Sequence, residues 1–245
     1  MFDAPPPQSF RLFIALTIPE DIKTEIEKAQ ADLRRALPKE CVRWTKREQF
    51  HLTLKFLGNV DAQRFEPLVD AMRGACQGFG ALELRAEGIG LFPDLRLPRV
   101  VWAGVRTPRQ FDALCAPEPQ GKSGPLTPAL SPSEGERGNR QQVSGEPRFM
   151  ESGQREQLPR LQRAVEAATR GFSAEESSER FTGHVTLGRI KSIKRPETEV
   201  LAKLAAGLAA RFFGAWTADK IEIIRSQLSP DGARHTTLAT IPLSV

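Results

Sequence analysis

The sequence predicts an α+β fold whose sheets are largely antiparallel. Three observations carry this. Short runs rich in β-branched and aromatic residues outnumber the helical runs, and turn residues separate them. The helical stretches show apolar residues at three- and four-residue spacing. Two strand-like runs, at residues 51–58 and 181–189, repeat one pattern, His-x-Thr.

In chain order, Phe10 to Thr17 is rich in β formers and reads as a strand. Pro19 opens a helix reaching Arg35, with Ile22, Ile26, Ala29 and Leu33 as its inner face, and Pro38 stops it. Val42 to Trp44 is a short strand in which Trp44 reads as a packing residue, with a stacking surface for a base as the alternative. His51 to Leu57 is the first motif strand, and Gly58-Asn59 turns out of it. Phe65, Leu68, Val69 and Met72 mark a helix before Gly74, and Leu82 to Ile89 a strand. A loop from Leu91 to Pro98 bears Asp94 and Arg96, with Arg99 just after it. Val100 to Val105 is an apolar strand, and Pro108 begins a helix through Leu114.

From Ala116 to Gln157 the composition shifts to Pro, Gly, Ser, Glu, Gln and Arg. Such a run breaks helices repeatedly and offers no core face, so residues 116–157 read as a disordered insertion, with a binding tail or a lid over the site as the alternative. It sits inside one domain spanning residues 10–245. Helical spacing resumes at Leu158, Leu161 and Val165 and ends near Gly171. Arg180 to Ile190 is the second motif strand and Pro196 to Leu208 a helix. Phe212 to Thr217, Lys220 to Leu228 and Thr236 to Leu243 are strands, the last two joined by a turn at Ser229-Pro230-Asp231-Gly232.

Bulk properties limit the function classes. A net charge of +5 and a pI near 9.4 suit a polyanionic ligand. Cys41, Cys76 and Cys115 show no metal-ligand spacing and read as reduced thiols, which places the chain in the cytoplasm. No apolar run reaches the ~20 residues that span a bilayer, and no signal pattern opens the chain. No cofactor or metal is expected, no membrane partner, and a monomer.

On a strand, residues i and i+2 share a face. His51 with Thr53, and His184 with Thr186, therefore each present an imidazole beside a hydroxyl. Leu52 and Leu54, and Val185 and Leu187, turn to a core. Two of the three histidines of the chain lie in this context. Two imidazoles facing one substrate supply a general acid and a general base near neutral pH without a metal. Thr53 and Thr186 are short hydroxyl donors on the same faces. Arg189 adds a charge, yet its odd offset from His184 puts it on the opposite face of a regular strand. Only a twist, a bulge or a strand end would return it. The third histidine, His235, reads as a solvated turn residue, with a place in the cleft as the alternative. Arg43, Lys46, Arg47 and Lys55 read as a solvated face, with phosphate tracking as the alternative. Phe92 and Arg99 are left open.

These residues resemble the 2H phosphoesterases, specifically the RNA 2′,3′-cyclic phosphodiesterases also called 2′-5′ RNA ligases. The match is His51, Thr53, Phe56 and Gly58, then His184, Thr186 and Arg189, followed by Ser226, Leu228 and Gly232. It runs from about Phe10 to Leu243, except the 116–157 segment. Gly183 stands where relatives often have Pro, and His235 falls near their Tyr. The resemblance implies two pseudo-symmetric lobes, each an antiparallel sheet with flanking helices, and an active-site cleft between them. It implies hydrolysis of RNA ends or nucleotides with a 2′,3′-cyclic phosphate to 2′-phosphomonoesters, and reverse 2′-5′ ligation. His51 would be the acid on the leaving oxygen and His184 the base on water. Thr53, Thr186 and Arg189 would bind substrate. The competing readings are a relative acting on a small cyclic nucleotide or a 2′-5′ oligoadenylate, and a non-catalytic RNA-binding module.

Overall fold

The computed structural model describes residues 9–108, 156–173, 181–229 and 232–244. They form two antiparallel sheets, as expected. One has the order β3-β1-β8-β9, built from β1 (Ser9–Thr17), β3 (His51–Asp61), β8 (Lys220–Ser229) and β9 (Gly232–Pro242). The other has the order β2-β6-β5-β4-β7, built from β2 (Val42–Trp44), β4 (Leu82–Phe92), β5 (Val100–Arg106), β6 (His184–Ile190) and β7 (Phe212–Ala218).

Each sheet is half-apolar and buries one face under two helices. α2 (Phe65–Cys76) and α3 (Gln157–Thr169) pack on the first sheet, touching β9 and β3 respectively. α1 (Glu20–Ala36) and α4 (Arg195–Gly207) pack on the second, touching β7 and β4. The helices are exchanged between lobes. α1 leaves the first sheet to pack on the second, and α3 follows the second sheet to pack on the first. The inner face of α1 is the expected one: Ile22, Ile26, Ala29 and Leu33 are buried, together with Gln30.

Several boundaries differ from the sequence reading. Gly58-Asn59 does not turn the chain; β3 runs on to Asp61, with Val60 buried and paired to Phe10. Gly58 takes a φ of 69° within the strand, which glycine adopts at little cost. β4 extends past Ile89 to Phe92, because Gly90, Leu91 and Phe92 pair with Trp102, Val101 and Val100 of β5. β9 starts at Gly232 rather than Thr236, because the hairpin with β8 closes tightly, pairing Ser229 with Gly232. Gln157 belongs to α3, while the rest of the 116–157 segment up to residue 155, and the helix expected after Pro108, lie outside the described residues.

Both motif strands contain the same irregularity. In β3, Thr53 pairs with Ala15 and Lys55 with Ile14, so Leu54 is an extra, unpaired residue. In β6, Thr186 pairs with Trp102 and Gly188 with Val101, so Leu187 is extra. Each is a β-bulge, which reverses the inside-outside alternation beyond it. The burial patterns show the reversal. Leu52, Leu54, Lys55 and Leu57 are buried in β3, and Val185, Leu187 and Gly188 in β6. The bulge thus turns Lys55 inward at 6% exposure, against the solvated face expected of it. A buried ammonium needs a counter-charge, and Glu166 of α3 supplies it at 2.6 Å.

Candidate functional site

Leu54 and Leu187 each stand three residues after their motif histidine, and Phe56 and Arg189 each stand five after it. The bulge returns residues at that offset to the face of the histidine and threonine. The consequence is a cleft of about 780 Å³ whose walls include His51, Thr53, Phe56 and Gly58 from β3, and Thr186 and Arg189 from β6. Arg189 therefore joins the site by the bulge that a regular strand lacks. His184 lies farther along the same face of β6, near enough to influence the protonation of His51. β3 and β6 pack against one another, so the two motifs meet.

Each imidazole is held in the same manner. His184 Nδ1 lies 2.8 Å from the carbonyl oxygen of Thr182, two residues back. A carbonyl only accepts, so Nδ1 carries the proton and Nε2 is left with its lone pair. The His51 ring hydrogen-bonds the backbone of Gln49, again two residues back. Gly183 has a physical reason to replace Pro. Its carbonyl accepts from Val105 N–H at 2.9 Å, and a Cβ there would come within 2.4 Å of the Val105 oxygen.

Aromatic rings enclose both histidines. His51 stacks on Phe13 with centroids 4.7 Å apart. Phe13 belongs with Ala15 and Ile224 to a small apolar cluster separate from the main core, which marks the cleft face of the first sheet. On the other side, Phe92 stacks on Trp102 at 4.8 Å and meets His184 edge-on at 5.1 Å. The Trp102 ring lies over Gly90, where a Cβ would come within 2.1 Å of it.

His235 is not a turn residue in solvent. It sits on β9 opposite Ser226, lines the cleft, and meets His51 edge-on at 5.3 Å and Phe13 at 5.0 Å. The side-chain amide of Gln49 donates to the Ala233 carbonyl and so ties the start of β3 to β9.

Burial disfavours charge on all three rings. His51 is pushed down from 6.5 to about 4 by desolvation first, then by the neighbouring His235 and His184, with Lys23 adding a little. The Gln49 hydrogen bond opposes this. His184 is lowered by desolvation, opposed by the Thr182 carbonyl, and lowered further by Arg189. Desolvation alone lowers His235.

Of the cations considered for phosphate tracking, Arg47 is engaged by Glu20 and Glu27, each at 3.0 Å, and Lys55 by Glu166. Arg43 stands directly opposite Arg189 across the β2–β6 ladder, so the two share a face. Its guanidinium reaches Gly232 at the β8–β9 turn. No group of three or more His, Cys, Asp or Glu side chains able to hold a metal occurs among the described residues. No helix among them is long and apolar enough to cross a membrane.

Gln30 was missed by sequence reasoning as a site residue. Its Nε2 donates to the carbonyls of Thr45 and Leu187, both at 2.8 Å, and Thr45 N–H donates to the same Leu187 carbonyl at 2.8 Å. Thr45 lines the cleft and Leu187 is the bulge residue. The one available signal was a polar residue beside the apolar stripe of α1.

A family model described as LigT like Phosphoesterase matches residues 16–102 and 149–235, which contain both motifs. The chain belongs to the LigT-like phosphoesterase family. An RNA 2′,3′-cyclic phosphodiesterase of Methanothermobacter thermautotrophicus is 24% identical over 235 residues, covering 95% of this chain and 98% of that protein. One of Thermotoga maritima is 33% identical over 97 residues, covering 39% of this chain and 50% of that protein. Among solved structures, E. coli LigT complexed with 3′-AMP superposes with a TM-score of 0.61 at 20% identity, over 96% of this chain and 99% of that one. The two-lobed fold of this LigT-like phosphoesterase is thereby shared with solved members.

Proposed function

We propose that the chain hydrolyses the 2′,3′-cyclic phosphate at RNA ends to a 2′-phosphomonoester, with His51 and His184 as an acid–base pair. One observation supports this: two bulged His-x-Thr strands, equivalent by offset, line one cleft with His51, Thr53, Thr186 and Arg189, and His184 lies near enough to act on the protonation of His51. The names of the relatives support the substrate class.

In the proposed step, water attacks phosphorus in line with the 3′ oxygen. His184 Nε2 takes the proton of the water as the new P–O bond forms. The P–O3′ bond breaks, and His51 gives its proton to the departing oxygen. Thr53, Thr186 and Arg189 donate to the non-bridging oxygens as charge builds there. His51, at about 4, is neutral in the free protein at pH 7. The bound phosphate anion raises its proton affinity, so it acts as the acid only within the complex. Run backwards with a 5′-hydroxyl in place of water, the same groups would form a 2′-5′ linkage.

The test is turnover of 2′,3′-cyclic AMP and of a short RNA with a cyclic end, in EDTA, with the phosphate position read by ³¹P NMR. A 2′-phosphate product is expected. A 3′-phosphate product, or turnover that requires an added divalent ion, refutes the proposal. Turnover of the mononucleotide but not the RNA favours the small-nucleotide reading.

A further inference from the structure

The bulge in β3 creates a conflict that the bulge in β6 does not. In each motif strand the residue four after the histidine is turned into the core. In β6 that residue is Gly188, which has no side chain to bury. A Cβ there would come within 2.6 Å of Val42 and 3.0 Å of Trp44, so side chains of β2 fill the space. In β3 it is Lys55, whose ammonium must leave water. The two strands also differ in support. β6 is held between β2 and β5, whereas among the described residues β3 is an edge strand paired with β1. A change of register in β3 therefore disturbs one ladder, and in β6 it would disturb two.

Local preference opposes the bulge in β3. A regular strand from His51 to Leu57 would bury Leu52, Leu54 and Phe56 and leave Lys55 on the open face. The folded strand does the reverse at positions 55 and 56. It holds Phe56 out at 51% exposure and Lys55 in at 6%. Two extra residues bracket this pair: Leu54, and Leu57, which is skipped because Phe56 pairs with Phe13 and Gly58 with Leu12. The bulged strand gains the burial of Leu57, which a regular strand would turn outward. Against that stands the buried ammonium, and the group that meets it is Glu166 of α3. Glu166 Oε1 lies 2.6 Å from Lys55 Nζ, while Oε2 is buried with no hydrogen-bond partner among the described residues. A buried ion pair satisfied on one side is weak support for stability, and the best-attested use of such a pair is to fix register.

We infer that Glu166 is a positioning residue for the cleft: by holding Lys55 inside, it keeps the bulge in β3 and so keeps Phe56 on the face of His51 and Thr53. Phe56 meets Phe13 there with centroids 5.8 Å apart, and Phe13 in turn stacks on His51. Without the carboxylate, Lys55 turns toward the cleft and Phe56 turns into the core. The inference rests on the proposed function only where activity is the readout.

The experiment compares the full chain with Glu166→Gln, with the Lys55→Met/Glu166→Leu pair, and with Leu161→Ala. The last removes a buried apolar group from α3 and leaves both charges in place. The readouts are Tm, kcat/KM on 2′,3′-cyclic AMP well below every Tm, and the NOE between the Phe13 and Phe56 rings. Glu166→Gln is expected to lose the ring contact and to lower kcat/KM by about tenfold or more, since a ~1 Å misplacement at a site can cost ~10²-fold. The pair variant gives the bulged strand an apolar side chain to bury at position 55, so the ring contact and most of kcat/KM should return. Leu161→Ala should lower Tm and leave kcat/KM near the wild-type value, which separates positioning from stability. Wild-type kcat/KM in Glu166→Gln overturns the inference, whether or not the exposed edge of β3 then pairs two chains. A pair variant as impaired as Glu166→Gln also overturns it. If Glu166→Gln fails to fold, Glu166→Asp takes its place, keeping the charge and shortening its reach. A partial loss of the ring contact and of kcat/KM is then expected, and no loss overturns the inference. If the wild-type chain turns over no cyclic phosphate, the proposed function fails, and the ring contact alone decides the role of Glu166.

Discussion

Replacing Gln30 by Leu tests whether the bulge in β6 is what makes Arg189 useful. The side chain is 8% exposed, and its amide donates both protons, one to Thr45 O and one to Leu187 O. Leucine keeps the volume and removes both bonds. The Leu187 carbonyl retains Thr45 N–H. The Thr45 carbonyl is left short of a donor in a part-buried place. A net hydrogen bond is worth ~1 kcal/mol and an unmade buried one costs ~1–3. The folded state should lose about 2–4 kcal/mol, or roughly 4–16 °C in Tm for a chain of this size. The functional effect runs through Arg189. A bond from a charged donor contributes ~1.5–3 kcal/mol, so loosening it should lower kcat/KM by roughly 10- to 100-fold. The assay is a double-mutant cycle with Arg189→Ala, read both as kcat/KM on the cyclic nucleotide and as Tm. If Gln30 acts through the bulge, Gln30→Leu should cost almost nothing more in kcat/KM once Arg189 is gone, while its Tm penalty persists. Additivity of the two losses in kcat/KM within ~0.5 kcal/mol would refute the reasoning.

His51→Ala and His184→Ala should each lower kcat by about 10²-fold or more, and Thr53→Ala and Thr186→Ala by less. Steady-state kinetics checks this, and near-wild-type turnover in either histidine variant would sink the mechanism. Because both imidazoles are depressed, the kcat/KM optimum should lie below about pH 6.5, and the kcat profile should be displaced upward by the bound phosphate. His235→Gln should move the His51 limb upward by removing a neighbouring imidazole, and an unmoved limb would count against the coupling. For stability the sign is fixed by the unfolded chain. Unfolded His51 gains its proton near 6.5 and the folded group only near 4, so its contribution is full above 6.5 and is lost as pH falls from there toward 4. Thermal melts across that range should fall less steeply for His51→Gln than for the wild type. Finally, joining Cys115 to Leu158 through a short linker should leave Tm and kcat/KM nearly unchanged. Long surface loops cost little to close, and the family model leaves residues 103–148 unmatched. A tenfold rise in KM for RNA but not for mononucleotides would mark the segment as a substrate arm.

Most of the framework was legible because it rests on local periodicity. The buried face of α1 and the alternation of His51, Leu52, Thr53 and Leu54 follow from spacing alone. What escaped was set by contacts distant in sequence. Gln30 meets Leu187 across 157 positions, and no window around either residue contains the other. His235 beside a turn reads as solvated until the β8–β9 ladder carries it back to His51. Lys55 reads as a surface cation until the extra residue at Leu54 turns it inward. Phe13 was one apolar residue among several in β1, and its place on the cleft face shows only once it stacks on His51 and lines the cleft.

A regular strand would turn Arg189 away from the cleft, and the bulge that the sequence reading allowed for returns it. Phe56 and Arg189 hold the same offset from their histidines, and so do Leu54 and Leu187. One bulge at the shared offset puts both odd-placed residues into the cleft, and the bulge is present twice. The scaffold is therefore symmetric while the groups it presents are not. At the fifth position one lobe offers a half-exposed Phe56 ring and the other a guanidinium. His51 has a second imidazole and a phenyl ring beside it, whereas His184 has Phe92, Trp102 and the charge of Arg189. Two equivalent histidines can take opposite parts in a proton transfer only if their surroundings differ. Here the difference comes from the residues that the paired bulges return to the cleft, and from His235, which occupies the first lobe alone.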